Sequence, residues 1–358
     1  MNKDLHGGNI YKFQREGKND ILDYSSNINP LGVAQKFIGI AKESFDKLIN
    51  YPDPYYIELR KKIAKFNSLN MDNIIVGNGA TEILFLYIRA LKPKKVLILA
   101  PCFAEYERAL KSVSAKIEYF ELKESDNFYP NIINLKKEIE NNNYDLLLFC
   151  NPNNPTGQFI KLEDIKEIIE TCENKNIKIF IDEAFIEFIE DWKEKTVSLL
   201  KNKKIFIMRA FTKFFAIPGL RLGYGIGFDD EVLKKMWEEK EPWTVNTFAN
   251  LAGLIMLDDK EYIEKSEKWI LEEKKFMYEE LSKFQNIKVY KTECNFILIK
   301  LSNITSESLR EKMIERNILI RDASNFKFLD YHFVRLAIKD RKSNLKMLET
   351  LTEFVEYK

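Results

Sequence analysis

Lys213 stands in the run Arg209-Ala210-Phe211-Thr212-Lys213-Phe214-Phe215, between aromatic neighbours. Desolvation there penalises an ammonium and favours the neutral amine, the form that attacks an aldehyde. One lysine among many is ordinarily a solvated loop residue, so the case depends on what else the chain carries. Asp182 closes an apolar run. Asn154 stands in Asn151-Pro152-Asn153-Asn154-Pro155-Thr156-Gly157, Phe103 follows Ala100-Pro101-Cys102, and Gly77-Asn78-Gly79-Ala80-Thr81-Glu82 precedes a helical pattern. A glycine-rich turn at a helix N-terminus presents free N–H groups and the positive end of the dipole, which suit a phosphate. Each piece also has a purely structural reading: Thr81 or Asp182 as a helix cap, Asn153-Asn154-Pro155 as a tight turn, Arg221 as half of an ion pair.

The elements that position these residues follow from the apolar pattern. Short, nearly continuous apolar runs at 74–76, 96–100, 117–122, 145–150, 177–182, 205–208 and 222–228 read as strands. Amphipathic helices are expected at 34–49, 55–67, 83–91, 105–114, 134–142 and 162–175. Strands without alternation, separated by helices, predict an α/β fold with a mostly parallel central sheet covered by helices on both faces. Ligands in such sheets sit beyond the carboxyl ends of the strands, where Phe103, Asn154, Asp182 and the segment 209–213 fall. After about residue 250 a long charged helix at 260–284 leads to strands at 287–290, 296–301, 318–321 and 333–338, a smaller α+β domain. We divide the chain into an N-terminal arm with part of the small domain (1–45), a large domain (46–250) and a C-terminal small domain (251–358).

Composition excludes several classes. Lys and Arg total 56 against 55 Asp and Glu, a net charge of +1. Such a balance predicts neither a nucleic-acid nor a membrane partner. Cys102, Cys150, Cys172 and Cys294 are scattered without a CxxC pair, and His6 and His332 are the only histidines, so no metal site is expected. The first residues lack the apolar core of a signal peptide, and no apolar run approaches the roughly 20 residues of a membrane span. The expectation is a soluble, cytoplasmic protein with reduced thiols.

Taken jointly, the rim residues describe the partners of one small molecule. An aldehyde condenses with Lys213, Asp182 holds a ring nitrogen protonated, and Asn154 donates to a ring hydroxyl. Phe103 stacks on one ring face and Ala184 leaves room at the other. The turn at 79–82, with Thr212 and Arg221, neutralises a phosphate. That inventory matches pyridoxal 5'-phosphate.

The ordered motifs GNGATE, NPNNPTG, DEAF, TKFFAIPGLRLGY and RLAIK resemble the fold type I pyridoxal-phosphate aminotransferases over nearly the whole chain. They are most similar to the branch that holds histidinol-phosphate aminotransferase and L-threonine O-3-phosphate decarboxylase. The resemblance implies that Lys213 carries the cofactor, Asp182 pairs with its ring nitrogen, Asn154 bonds its hydroxyl and Phe103 stacks. It implies a phosphate site at Gly79, Ala80, Thr81, Thr212 and Arg221, reached by Tyr51 from a partner subunit of a homodimer. It further implies that Arg335 clamps a substrate carboxylate, that Asn27 lines the substrate pocket, and that His6 and Arg321 serve a phosphorylated amino-acid substrate. Which arginine takes the phosphate stays open at this point.

Two positions depart from the pattern. Ala210 stands where a phosphate-binding serine or threonine is usual, and Phe185 where a tyrosine is usual. The missing phenol weakens the transaminase reading. Together with the His6-Gly7-Gly8-Asn9 arm and Ile320-Arg321-Asp322-Ala323-Ser324-Asn325-Phe326, it favours a decarboxylase. The expected reaction is loss of carbon dioxide from L-threonine O-3-phosphate, giving (R)-1-amino-2-propanol phosphate for cobalamin synthesis. Transamination of histidinol phosphate is the alternative.

Overall fold

The computed structural model describes residues 6–357. The strands are β1 (Leu22–Asp23), β2 (Ile74–Asn78), β3 (Lys95–Ala100), β4 (Lys116–Glu121), β5 (Leu146–Cys150), β6 (Lys178–Asp182), β7 (Ile205–Ala210), β8 (Leu222–Gly227), β9 (Ile287–Val289), β10 (Phe296–Leu301), β11 (Ile318–Leu319), β12 (Arg321–Asp322) and β13 (Phe333–Ala337). Strands β2 to β8 form one seven-stranded sheet in the order β2-β8-β7-β6-β5-β3-β4. Only β8 opposes the others: it pairs antiparallel with both β7 and β2, while the remaining pairings are parallel. The fold is therefore the expected α/β arrangement with a mostly parallel central sheet.

Burial explains the run of apolar letters. Every residue of β5, β7 and β8 is buried, as a sheet covered on both faces requires. The helices Ala80–Leu91 and Glu105–Lys111 contribute Leu84, Leu86, Tyr106 and Leu110 to one apolar layer over the sheet. A second layer joins that sheet to the C-terminal elements through residues such as Phe185, Phe214, Phe296 and Trp269.

The four-stranded sheet β12-β13-β10-β9 is antiparallel, and β1 pairs parallel with β11. Here the structure departs from the expected single strand at 318–321. That run is split: β11 turns to the arm strand β1, whereas β12 pairs with β13. A continuous apolar stretch does not reveal which edge each half will find, because register is set by the partner. The amphipathic stretch at 34–49 likewise breaks into the helix Gln35–Lys42 and a separate helical turn, Phe45–Ile49. The helices Ile10–Arg15, Asp230–Glu239 and Thr247–Met256 were not anticipated. Among the described residues no helix is long and apolar enough to cross a membrane.

Candidate active site

Sheet register brings the rim residues together. Cys150 lies opposite Asp182, and Asp182 opposite Met208. Ala210 lies opposite Gly223, and Asn78 opposite Leu222. The carboxyl ends of β2, β5, β6 and β7 thus form one row. Because β8 runs the other way, its first residues enter at that same row and bring Arg221 with them.

A cavity of about 240 Å³ opens above the row. Its lining includes His6, Asn27, Ala80, Thr81, Phe103, Asn154, Asp182, Ala184, Thr212, Lys213, Arg221, Arg321 and Arg335, with Phe185 and Ala210. Two expected residues lie outside it. Gly79 stands just behind Arg221, and Tyr51 is 81% exposed with its ring 4.9 Å from that of Trp243. Arg209, read from the sequence as part of the turn that carries Lys213, is inside β7 and fully buried against Glu183. Strand β7 simply runs two residues further than its apolar letters suggest, because that ion pair hides the charge.

Lys213 Nζ has no hydrogen-bond or carboxylate partner among the described residues and lies 5.9 Å from the Phe185 ring centroid. Burial first, then Arg335 and Arg221, pulls its pKa from 10.5 down to about 8. A sizeable fraction is neutral amine near pH 7 to 8. Asp182 is lifted by burial to about 6, although the Tyr106 O–H, the Ala184 N–H and Lys213 all favour its anion. Its Oδ2 accepts from Tyr106 at 2.5 Å and its Oδ1 from the Ala184 N–H at 2.8 Å. A buried carboxylate held in this way can keep a proton on a basic ring nitrogen.

The helix Ala80–Leu91 begins at the cavity, three residues earlier than the apolar pattern indicated. Its N-cap is Gly79, with φ +78°, and Thr81 makes no cap hydrogen bond. A Cβ at Gly79 would sit 2.3 Å from an Arg221 guanidinium nitrogen, and one at Gly223 would sit 2.3 Å from the Ala80 nitrogen. Glycine at both positions lets the strand, the guanidinium and the helix start crowd together. First-turn N–H groups have no carbonyl partner within their helix. With Thr81, Thr212 and Arg221 beside them, they form a cradle for an anion such as phosphate.

On the opposite side, Arg321 of β12 and Arg335 of β13 are direct cross-strand partners. Only 7% and 6% of their surfaces are exposed. Arg335 donates to Asn154 Oδ1 at 2.5 Å and to the Ser25 carbonyl at 2.7 Å, while its Nε is buried without a partner. Among the described residues it has no carboxylate. Burial and then Arg321 lower its pKa to about 9. Asn27 Oδ1 is likewise buried and unpartnered in this cavity. Like charges placed opposite each other destabilise a sheet; Arg321 also donates to Asn325 Oδ1 at 2.8 Å and lies 5.2 Å from the Phe326 ring centroid, and an anion beside Arg335 would relieve the pair. His6 meets Glu105 at 2.9 Å and its ring lies 5.3 Å from Phe103, closing the cavity from the arm.

The cavity also gathers residues the sequence did not single out as site residues: Tyr106, Ser25, Ser26, Leu84, Met208 and Phe326. Tyr106 had one available signal, its position a helical turn after Phe103. The others depend on tertiary register. As a whole the donor set fits pyridoxal 5'-phosphate: an enclosed amine for the aldehyde, an enclosed acid for the nitrogen and a helix start for the phosphate.

The description of the aminotransferase class I and II family matches residues 17–351. A protein from Caldanaerobacter subterraneus subsp. tengcongensis, to which threonine-phosphate decarboxylase activity is ascribed, is 44% identical over 98% of this chain and 94% of its own length. The threonine-phosphate decarboxylase of Salmonella typhimurium is 34% identical over 97% and 95%. Among solved structures, the histidinol-phosphate aminotransferase from Clostridium acetobutylicum superposes with a TM-score of 0.88 at 40% identity, covering 93% of this chain and 98% of that one.

Proposed function

The chain belongs to the aminotransferase class I and II family, and from that premise we propose that it is a pyridoxal-phosphate enzyme that decarboxylates L-threonine O-3-phosphate to 1-amino-2-propanol phosphate. The observation that carries the reading is the facing pair Arg321 and Arg335, both buried and both lining the cavity that holds Lys213. Two confined guanidinium groups call for a substrate with two anionic ends. Threonine phosphate has a carboxylate and a phosphate on adjacent carbons. When bound, pyridoxal 5'-phosphate supplies an aldehyde and an electron-poor ring that draws electrons from a bond broken at the substrate α-carbon.

This chain's residues do the rest. Lys213 offers the amine, Asp182 holds the proton at the ring nitrogen, and Phe103 and Ala184 bracket the ring. Asn154 bonds the ring hydroxyl while its Oδ1 stays with Arg335. Ala80, Thr81, Thr212 and Arg221 hold the cofactor phosphate. Arg335, tied to Asn154, takes the substrate carboxylate, and Arg321 with His6 takes its phosphate. By fixing how the substrate lies, Arg335 and Arg321 would select the bond to the carboxylate as the one that the bound cofactor draws on. The carboxyl group leaves as carbon dioxide, its electron pair stays with carbon, and Lys213 Nζ is the group at hand to supply the replacing proton. Phe185 leaves the hydroxyl end of the ring without the phenol that this family ordinarily has there, which suits a role other than transamination. The product is the amino alcohol phosphate used to build the nucleotide loop of cobalamin.

We place two copies in the working unit. Phe45, Leu48, Ile49, Tyr51, Tyr55 and Trp243 are 45 to 87% exposed, and exposed large apolar side chains gathered in this way suit an interface. A partner would cover it and bring Tyr51 to the neighbouring cofactor phosphate. The division at residues 45 and 250 and a cytoplasmic location belong to the same reading.

Incubating the holoenzyme with threonine O-3-phosphate tests it: carbon dioxide and aminopropanol phosphate should appear one for one, with no keto acid consumed. The 40% identity to an aminotransferase structure favours a second reading, transamination of histidinol phosphate. Faster turnover of histidinol phosphate with 2-oxoglutarate, and no carbon dioxide from threonine phosphate, would establish that one instead.

A further inference from the structure

Tyr106 has no part in the steps above, yet it is the one tyrosine lining the cavity among the described residues. Its ring is fully buried on the helix Glu105–Lys111 and meets the Phe103 ring edge to face at 5.8 Å and 81°. Its hydroxyl donates to Asp182 Oδ2 at 2.5 Å. Burial, and then Asp182, push the phenol's pKa well above 10, so the O–H remains a donor at any working pH.

The groups facing Asp182 are few. Tyr106 approaches from its helix, the buried Cys150 thiol from β5 and Lys213 from the segment after β7, while Glu183, next in the chain, is turned away into its pair with Arg209. Cys150 donates to the Pro152 carbonyl at 3.0 Å and is itself held neutral by burial. Lys213 would be the residue that carries the cofactor, and its free ammonium would then no longer stand beside Asp182. Tyr106 and the Ala184 N–H are then the donors left to steady the anion. A hydrogen bond to the charged form is what keeps a desolvated carboxylate ionised.

We propose that Tyr106 is a positioning residue that keeps Asp182 ionised and aimed at the ring nitrogen of bound pyridoxal phosphate. The inference deepens the proposed function and depends on its cofactor assignment. It moves phenolic tuning from the hydroxyl end of the ring, where Phe185 has none to offer, to the nitrogen end.

The test uses the holoenzyme loaded with pyridoxal phosphate carrying nitrogen-15 in its ring. Wild type should show a protonated ring nitrogen from pH 6 to 8. In Tyr106→Phe the nitrogen resonance should move toward the unprotonated position within that range, a shift of about one pH unit or more, since a hydrogen bond to a charged group has about that worth. Tyr106→His, which retains a donor, should restore part of the wild-type titration. An analogue with carbon in place of the ring nitrogen should be retained equally by wild type and Tyr106→Phe. Identical titrations, or equal loss of the analogue and the natural cofactor, would overturn the proposal. If Tyr106→Phe does not fold, difluorotyrosine at 106, a stronger donor, should move the nitrogen titration the opposite way, to higher pH than in wild type, and no movement would overturn it. Wild type that never takes up the cofactor would instead sink the proposed function itself.

Discussion

Arg209 and Arg335 are both enclosed almost completely, and they are treated in opposite ways. Arg209, behind the sheet, donates to Glu183 Oε2 from Nε at 3.0 Å and Nη2 at 2.7 Å, to Thr196 at 2.5 Å and to Asn67 at 2.6 Å. It also lies 4.8 Å from the Trp192 ring. Burial would lower its pKa, but Tyr224, Glu183 and Glu187 more than reverse that and raise it. Arg335, facing the cavity, has among the described residues two hydrogen bonds, no carboxylate and an idle Nε, and its pKa is depressed. The first arrangement is complete without any other molecule. The second leaves charge and a donor unmatched, and a protein keeps such a group where a ligand supplies the match.

Substitution should separate the two most sharply. Arg335→Met is expected to cut turnover of threonine phosphate on the order of a hundredfold or more, because a buried charge partner of the substrate is lost. The same change should leave urea stability unchanged or up to about 2 kcal/mol higher, since an unmatched buried cation is removed. Arg209→Met should do the reverse in stability, losing about 3–5 kcal/mol by stranding Glu183 without its partner. Equal stability losses at the two positions would erase the contrast.

Acidity gives the next largest effect. Lys213 is held near pH 8, below its value of 10.5 in an unfolded chain, with Arg335 the second cause after burial. Between those values the unfolded chain binds more protons, so this group adds stability to the apoprotein as pH rises from about 8 toward 10.5. Cofactor capture by the apoprotein should accelerate with rising pH, with its midpoint near pH 8, and level about one unit above it. In Arg335→Met that midpoint should move upward, because a neighbouring positive charge is gone. A stopped-flow pH series that shows no movement would mean the two groups are uncoupled.

The smallest effect belongs to Phe185→Tyr. A phenol restored at the hydroxyl end should slow cofactor dissociation a few-fold, about 0.5–1.5 kcal/mol, with no change in urea stability.

Much of this cavity was legible in the chain, for a physical reason. Strand ends in a parallel sheet carry short motifs whose polar letters interrupt apolar runs, as at Asn154, Asp182 and Thr212-Lys213, so their place on one rim follows from local pattern. The arginine pair was legible only as two separate cations. That they face each other depends on the split of 318–321 between two sheets, and pairing register is a tertiary choice. Arg209 was misplaced because its neutralising partner, Glu183, is distant in sequence and hides a charge inside a strand. Tyr106 looked like any aromatic on a buried helical face, since nothing local reports that its hydroxyl meets a carboxylate.

The central claim is that the facing arginines hold the two anionic ends of one substrate. Its most direct measurement is the affinity of the holoenzyme for threonine O-3-phosphate against threonine, which lacks the phosphate, and aminopropanol phosphate, which lacks the carboxylate. The account predicts that threonine phosphate binds on the order of a hundredfold more tightly than either. Removing the carboxylate should matter less in Arg335→Met than in wild type. Equal affinity for all three compounds in the wild-type enzyme would contradict it.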